Sequence, residues 1–94
     1  MKTLPEGLEH YKSTSEFTES SIPAGLLRSH ATAPGVWGRI DVIEGALLYR
    51  LLEPAHEEHL LTPGAAGIIE PGMKHEVAVN GPVRFCVQFH RLPA

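Results

Sequence analysis

Polar and apolar residues alternate most cleanly near the end of the chain. There Val83, Phe85, Val87 and Phe89 fall on one face, and Arg84, Cys86, Gln88 and His90 on the other. A period of two residues marks a strand with one face against a hydrophobic interior. The opposite face, which carries Gln88, meets a pocket or solvent. Upstream, Gly, Pro and Asn-Gly marks recur at Pro23-Ala-Gly25, Ala33-Pro-Gly35, Glu44-Gly45, Glu53-Pro54, Thr62-Pro-Gly64, Pro71-Gly72 and Asn80-Gly-Pro82. They leave apolar runs of strand length between them and no gap long enough for a substantial helix. The pattern predicts strands over 25–31, 36–44, 46–53, 57–62, 66–70, 74–79 and 82–91. In the first of these Leu26, Arg28 and His30 alternate with Leu27 and Ser29, which puts Arg28 and His30 on the same side. Many short strands imply a barrel or sandwich, and the expectation is a small all-β barrel. Residues 1–21 differ from the rest: the polar run Ser13-Thr-Ser-Glu-Phe-Thr-Glu-Ser-Ser21 has neither period. It reads as an irregular arm over a domain of residues 22–94, pinned by Leu8, Tyr11 and Phe17.

Size and charge narrow the class. Ninety-four residues make one domain, small enough that a partner subunit would help it. A homodimer that covers the sheet edges is therefore expected. With 43% apolar residues, 20% charged residues and a net charge of -3, the chain folds and has no basic excess to hold a phosphate backbone. That argues against nucleic acid as a partner. The single Cys86 rules out an internal disulfide, and its apolar alternating setting reads as a buried, inert thiol in the core. The opening residues, MKTLPEGLEH, lack the apolar run of a signal peptide or membrane span, so cytoplasmic residence is the expectation.

Candidate chemistry centres on the six histidines. Imidazole binds zinc, iron, nickel and copper, and a site needs about three or four ligands from separate strands. His10, in the arm, and His90, near the C-terminus, are set aside, and His56 reads as a solvated turn residue. His59 opens the apolar run Leu60-Leu61 and faces either inward or out. His75 follows the tight bend Pro71-Gly72 and either binds a metal or substrate or caps the barrel mouth by hydrogen bonding. Glu70 precedes a proline and is held extended. It is a surface charge unless paired or metal-bound. Trp37 and Tyr49 either line a pocket or pack in the core.

Pro71-Gly-Met-Lys-His75 resembles the second conserved motif of the cupin superfamily, in which a Pro and Gly bend precedes a metal-binding histidine. His30 with Val36-Trp-Gly-Arg-Ile-Asp-Val-Ile-Glu-Gly45 looks like a degenerate first motif. More closely, the chain resembles the small cupin-like family of tellurite-resistance protein B. The matching residues are Ile22-Pro-Ala-Gly25, His30-Ala-Thr, Gly35-Val-Trp-Gly, Val42-Ile-Glu-Gly45, Glu58-His59, Glu70-Pro71 and His75. The resemblance implies a double-stranded β-helix, or jelly-roll barrel. Two of the usual four cupin ligands are missing, since Thr32 and Gly38 stand at their positions.

What the resemblance implies for function is a divalent metal (zinc, nickel, iron or manganese) on His30 and His75, with Glu70 and His59 as further ligands. The site would hold a small anion, such as an oxyanion, or an organic molecule. Arg28, Trp37, Tyr49 and Gln88 would form its ligand pocket. One alternative is a metal-free ligand-binding or accessory partner module, and another is a small metal-dependent enzyme such as a dioxygenase. Some relatives carry a methyltransferase domain, for which a chain ending at Ala94 has no room. The cupin-like part is accordingly expected to be a binding or accessory module.

Overall fold

The computed structural model describes residues 1–28, 31–53 and 56–93. Its strands are β1 (Glu9–Ser13), β2 (Phe17–Thr18), β3 (Trp37–Leu51), β4 (Glu57–Leu61), β5 (Gly67–Ile69) and β6 (His75–Arg91), with one 3-10 turn over Ala24–Leu27. All pairing is antiparallel within one six-stranded sheet, ordered β1-β6-β3-β4, with β2 beside β6 and β5 beside β3. Among the described residues no helix is long and apolar enough to cross a membrane. The all-β, single-domain expectation holds. The expected closed barrel does not form: β4 and β5 share one edge of β3, β1 and β2 share one edge of β6, and the sheet stays open.

A ribbon of the two longest strands, β3 and β6, organises everything else. Its register slips twice near the middle. Between Val42 and Glu44, β3 advances two residues while β6 advances one, from Phe85 to Arg84, so Ile43 is an extra residue in β3. Between Gly45 and Leu47, β3 again advances two residues while β6 advances four, from Val83 to Val79. A single extra residue exchanges the faces of every side chain beyond it. Accordingly Gly38, Ile40 and Val42 are buried before the slip, and Leu47, Tyr49 and Leu51 after it. Bulges also bend and twist the strand that carries them. The two halves of the ribbon thus turn the same face inward and share one core, in which Ile40 and Val42 join Leu47, Tyr49, Val77, Val83 and Phe85.

Several expectations change here. The breaks foreseen at Glu44-Gly45 and Asn80-Gly-Pro82 are bulges inside continuous strands, so four expected strands become two. The strand expected over 25–31 is not formed where it is described. Leu26 N–H closes a tight turn on the Pro23 carbonyl at 2.9 Å, in the 3-10 segment that follows Pro23. His30 lies outside the described residues. The arm is not irregular: β1 and β2 both pair with β6. Phe17 stands edge-on to Phe85 at 5.7 Å between ring centroids, and the Arg91 guanidinium lies 3.9 Å over the Tyr11 ring. Arg84 is held between Glu16 and Glu44, and Glu19 accepts from the Val83 N–H, so this segment is tied to the bend from outside. Cys86 sits half-buried on the outward face opposite Asp41, not in the core. Partial burial, with Asp41 and then Glu16 beside it, pushes its thiol pKa up and keeps it protonated.

Gly45 carries the bend. Its φ is +78°, and a Cβ there would collide with the Pro82 carbonyl. Gly64 has a similar φ of +87° with open space around it. Chemical denaturation should therefore show Gly64→Ala losing about 1 kcal/mol from backbone strain alone, and Gly45→Ala losing at least about 3 kcal/mol or failing to fold. Equal losses at the two positions would contradict the bend described here.

Candidate functional site

The open side of the bent sheet faces a cavity of about 450 Å³. Its sheet wall comes from Ile40, Ile69, Val77, Phe85, Val87 and Phe89, with His75 among them. Its outer wall comes from Thr14, Phe17, Pro23, Gly25, Leu26, Ala31 and Thr32. Both ends of this wall are held down locally. Thr14 exchanges hydrogen bonds with Val87 through its N–H (2.9 Å) and through its hydroxyl, which accepts from the Val87 N–H at 3.0 Å. The Thr32 hydroxyl donates to the Val36 carbonyl at 2.9 Å.

His75 is the buried polar residue of this wall, 1% exposed. It opens β6 directly after the Pro71–Gly72 bend, where Met73 N–H closes a turn on the Glu70 carbonyl. Because a carbonyl only accepts, the 3.0 Å contact to the Met73 carbonyl fixes the proton on Nδ1. The ring stands edge-on to Tyr49 at 5.9 Å and 70°. Tyr49 is fully buried and donates its hydroxyl to the Ile68 carbonyl at 2.8 Å, which fastens β5 behind the cavity. Burial raises the Tyr49 pKa well above its ordinary value near 10, and the carboxylates of Glu70 and Glu57 raise it further.

The other expected site residues are distributed differently. Glu70 lines a second cavity of about 510 Å³ together with Lys2, Glu53 and Glu57, and lies 3.4 Å from the Lys2 ammonium. His59 Nε2 is 3.0 Å from Glu57, whose carboxyl is held below the usual range by the N-terminal ammonium and then by His59. Arg28 is exposed, just past the 3-10 turn. Trp37 pairs with His90 and Gln88 with Arg39, and all of these lie on the outward face, away from the cavity. His10 and His90 meet on that face with centroids 5.3 Å apart. Burial, His10 and Arg39 hold His90 below its ordinary pKa. Among the described residues no three His, Cys, Asp or Glu side chains are grouped to hold a metal ion.

Gly38, where the resemblance drawn from the sequence would have put a carboxylate ligand, has no room for one. A Cβ there would come within 2.9 Å of Ile69 Cδ1, so the space a ligand side chain would need is filled by an aliphatic one. The apolar cavity residues were visible in the sequence only as alternation in β6. The sequence offers Phe17 only as a pin for the arm, and Leu26 only as part of a strand that does not form where it is described.

A bent, open antiparallel sheet with an apolar cavity and a buried imidazole defines a small all-β domain. The TehB-like domain model matches residues 12–87, and the chain belongs to that family. It is 35% identical over 75 residues to the "Uncharacterized protein YeaR" of Escherichia coli strains K12 and O157:H7, an alignment covering 77% of this chain. The chain spans 60% of the length of these curated relatives. A crystal structure of an Escherichia coli K12 protein superposes over the whole of both chains, with a TM-score of 0.88 and 25% identity. TehB from Haemophilus influenzae superposes with a TM-score of 0.82 and 26% identity, over 93% of this chain and 32% of its own.

The Tyr49 hydroxyl yields a pH prediction. A pKa raised on folding gives stability that is fully present below the unfolded value, near 10, and is lost as pH rises beyond it. Denaturation midpoints should fall above about pH 10 in the wild type and fall less steeply in Tyr49→Phe. At neutral pH the same variant should lose roughly 1 kcal/mol with the Ile68 hydrogen bond. Parallel alkaline limbs would contradict the buried hydroxyl.

Proposed function

We propose that this chain is a small-molecule-binding module of the TehB-like family, with the 450 Å³ cavity as its ligand site. The observation that carries this reading is the unfilled apolar space between the bent sheet and the wall formed by Thr14, Phe17, Leu26 and Thr32. A well-formed apolar pocket with a few polar groups is the usual form of a ligand site. Phe17, Leu26 and Phe89 border it while only partly buried, so they have apolar area still to cover. The Pro71–Gly72 bend before an inward His75 supports treating the open sheet as a reduced cupin. No reaction is assigned to the module. The site is tested by screening organic fragments against protein with labelled Ile and Val methyl groups. Binding fragments should shift Ile40, Ile69, Val77 and Val87 together, and Leu26→Trp, which fills the rim, should abolish the shifts. Fragments that bind only beside Glu53, Glu57 and Glu70 would contradict the assignment.

A metal centre on His75 and His30 is the second reading. What favours it is the Met73 carbonyl on Nδ1, an orienting contact typical of ligating imidazoles. It expects stoichiometric zinc, nickel, iron or manganese in untagged protein, lost on His75→Ala. Metal-free protein that still binds fragments in the cavity would leave the first reading alone.

A further inference from the structure

The chemistry of the cavity wall narrows the ligand further than its position does. The chain has three phenylalanines, and all of them, Phe17, Phe85 and Phe89, line this one cavity. They come from two strands, and Phe17 and Phe85 already hold the edge-on arrangement that aromatic rings prefer. Among the described residues no Lys, Arg, Asp or Glu lines the cavity. The polar groups that do line it have spent protons on the backbone: the Thr14 hydroxyl donates to the Ser15 carbonyl, the Thr32 hydroxyl to the Val36 carbonyl, and His75 Nδ1 to the Met73 carbonyl. An anion entering this space would lose its hydration with no Lys or Arg among the described lining residues to replace it, a cost of several kcal/mol. A flat apolar ring has little hydration to lose and would meet apolar and aromatic side chains.

We infer that the cavity takes an uncharged aromatic molecule and rejects anions, including the oxyanions that the family resemblance suggests. This rests on the cavity being the ligand site. The ion pairs of Arg50 with Glu58 and Glu76 and of Arg84 with Glu44 lie elsewhere, and Lys2, Glu53, Glu57 and Glu70 line the second, acidic cavity.

The test compares three probes by titration calorimetry and methyl shifts at neutral pH: 2-naphthol, 2-naphthoate and sodium tellurite. The two naphthyl probes share one ring system and differ in charge. The expected result is saturable 2-naphthol binding that shifts Ile69 and Val87, is abolished by Leu26→Trp and is weakened about threefold to tenfold by Phe17→Ala. 2-Naphthoate should bind at least about tenfold more weakly, and tellurite should leave the lining methyls unmoved. Naphthoate or tellurite binding as tightly as naphthol, and lost in Leu26→Trp, would overturn the ligand class while leaving the cavity as the site. Organic fragments that fill the cavity while 2-naphthol does not would do the same. If neither fragments nor probes shift the lining methyls, the site assignment itself falls.

Discussion

One extra residue, Ile43, sets the shape of this domain. Without it, the inside face of β3 would run even-numbered from Gly38 to Arg50, and Arg50 would enter the core in place of Tyr49 and Leu51. With it, the inward set passes from Ile40 and Val42 to Leu47, Tyr49 and Leu51, and β6 supplies Val77, Val83, Phe85 and Val87 opposite. The compensating slip in β6 over residues 80–82 falls at the same place, with Gly45 pressed against Pro82. Every later feature needs the ribbon to bend there: the shared core, the concave face, and the cavity that neither half would enclose alone.

The chemistry of the cavity follows from what the bend turns inward. Alternation delivers valine, isoleucine and phenylalanine to the concave face and sends Trp37, Arg39, Gln88 and His90 outward. Ile69 fills the space beside Gly38. Glu53, Glu57 and Glu70 gather around the neighbouring acidic cavity, where Lys2 lies beside Glu70 and the N-terminal ammonium beside Glu57. His75 remains as an imidazole with its Nδ1 side fixed by a carbonyl and its ring edge against Tyr49, both contacts that hold its orientation. In this TehB-like chain the described lining of the cavity is thus apolar more than charged.

Much of this was legible in the sequence, and the exceptions have physical reasons. The Val83, Phe85, Val87 and Phe89 alternation was read correctly because half-buried strands expose their period. The sites of both bulges were seen as breaks, since Gly45, Asn80, Gly81 and Pro82 are punctuation, but punctuation does not say whether a strand ends or slips. β1 and β2 escaped because their hold on β6 is through backbone pairing and a few contacts, such as Phe17 on Phe85, which leave no period. Leu26-Leu27-Arg28 alternates like a strand, yet Pro23 starts a tight turn that the pattern cannot express. Cys86 lies on the face opposite the core valines, as its parity required, although the residue type argued for burial. For the site, the inward His75 was foreseen from the Pro71–Gly72 bend, whereas the separation of Glu70 and His59 from it depends on how the sheet folds.

The central claim is that the bent ribbon leaves an apolar, accessible cavity against Phe17, Phe85 and Phe89. Diffraction from crystals pressurised with xenon tests it most directly, because xenon enters dry apolar cavities and is located without any assumption about the natural ligand. The account predicts a xenon peak between Leu26, Ile69, Val87 and the three phenylalanine rings. A cavity that takes no xenon, because those side chains have closed on one another or ordered water fills the space, would contradict it.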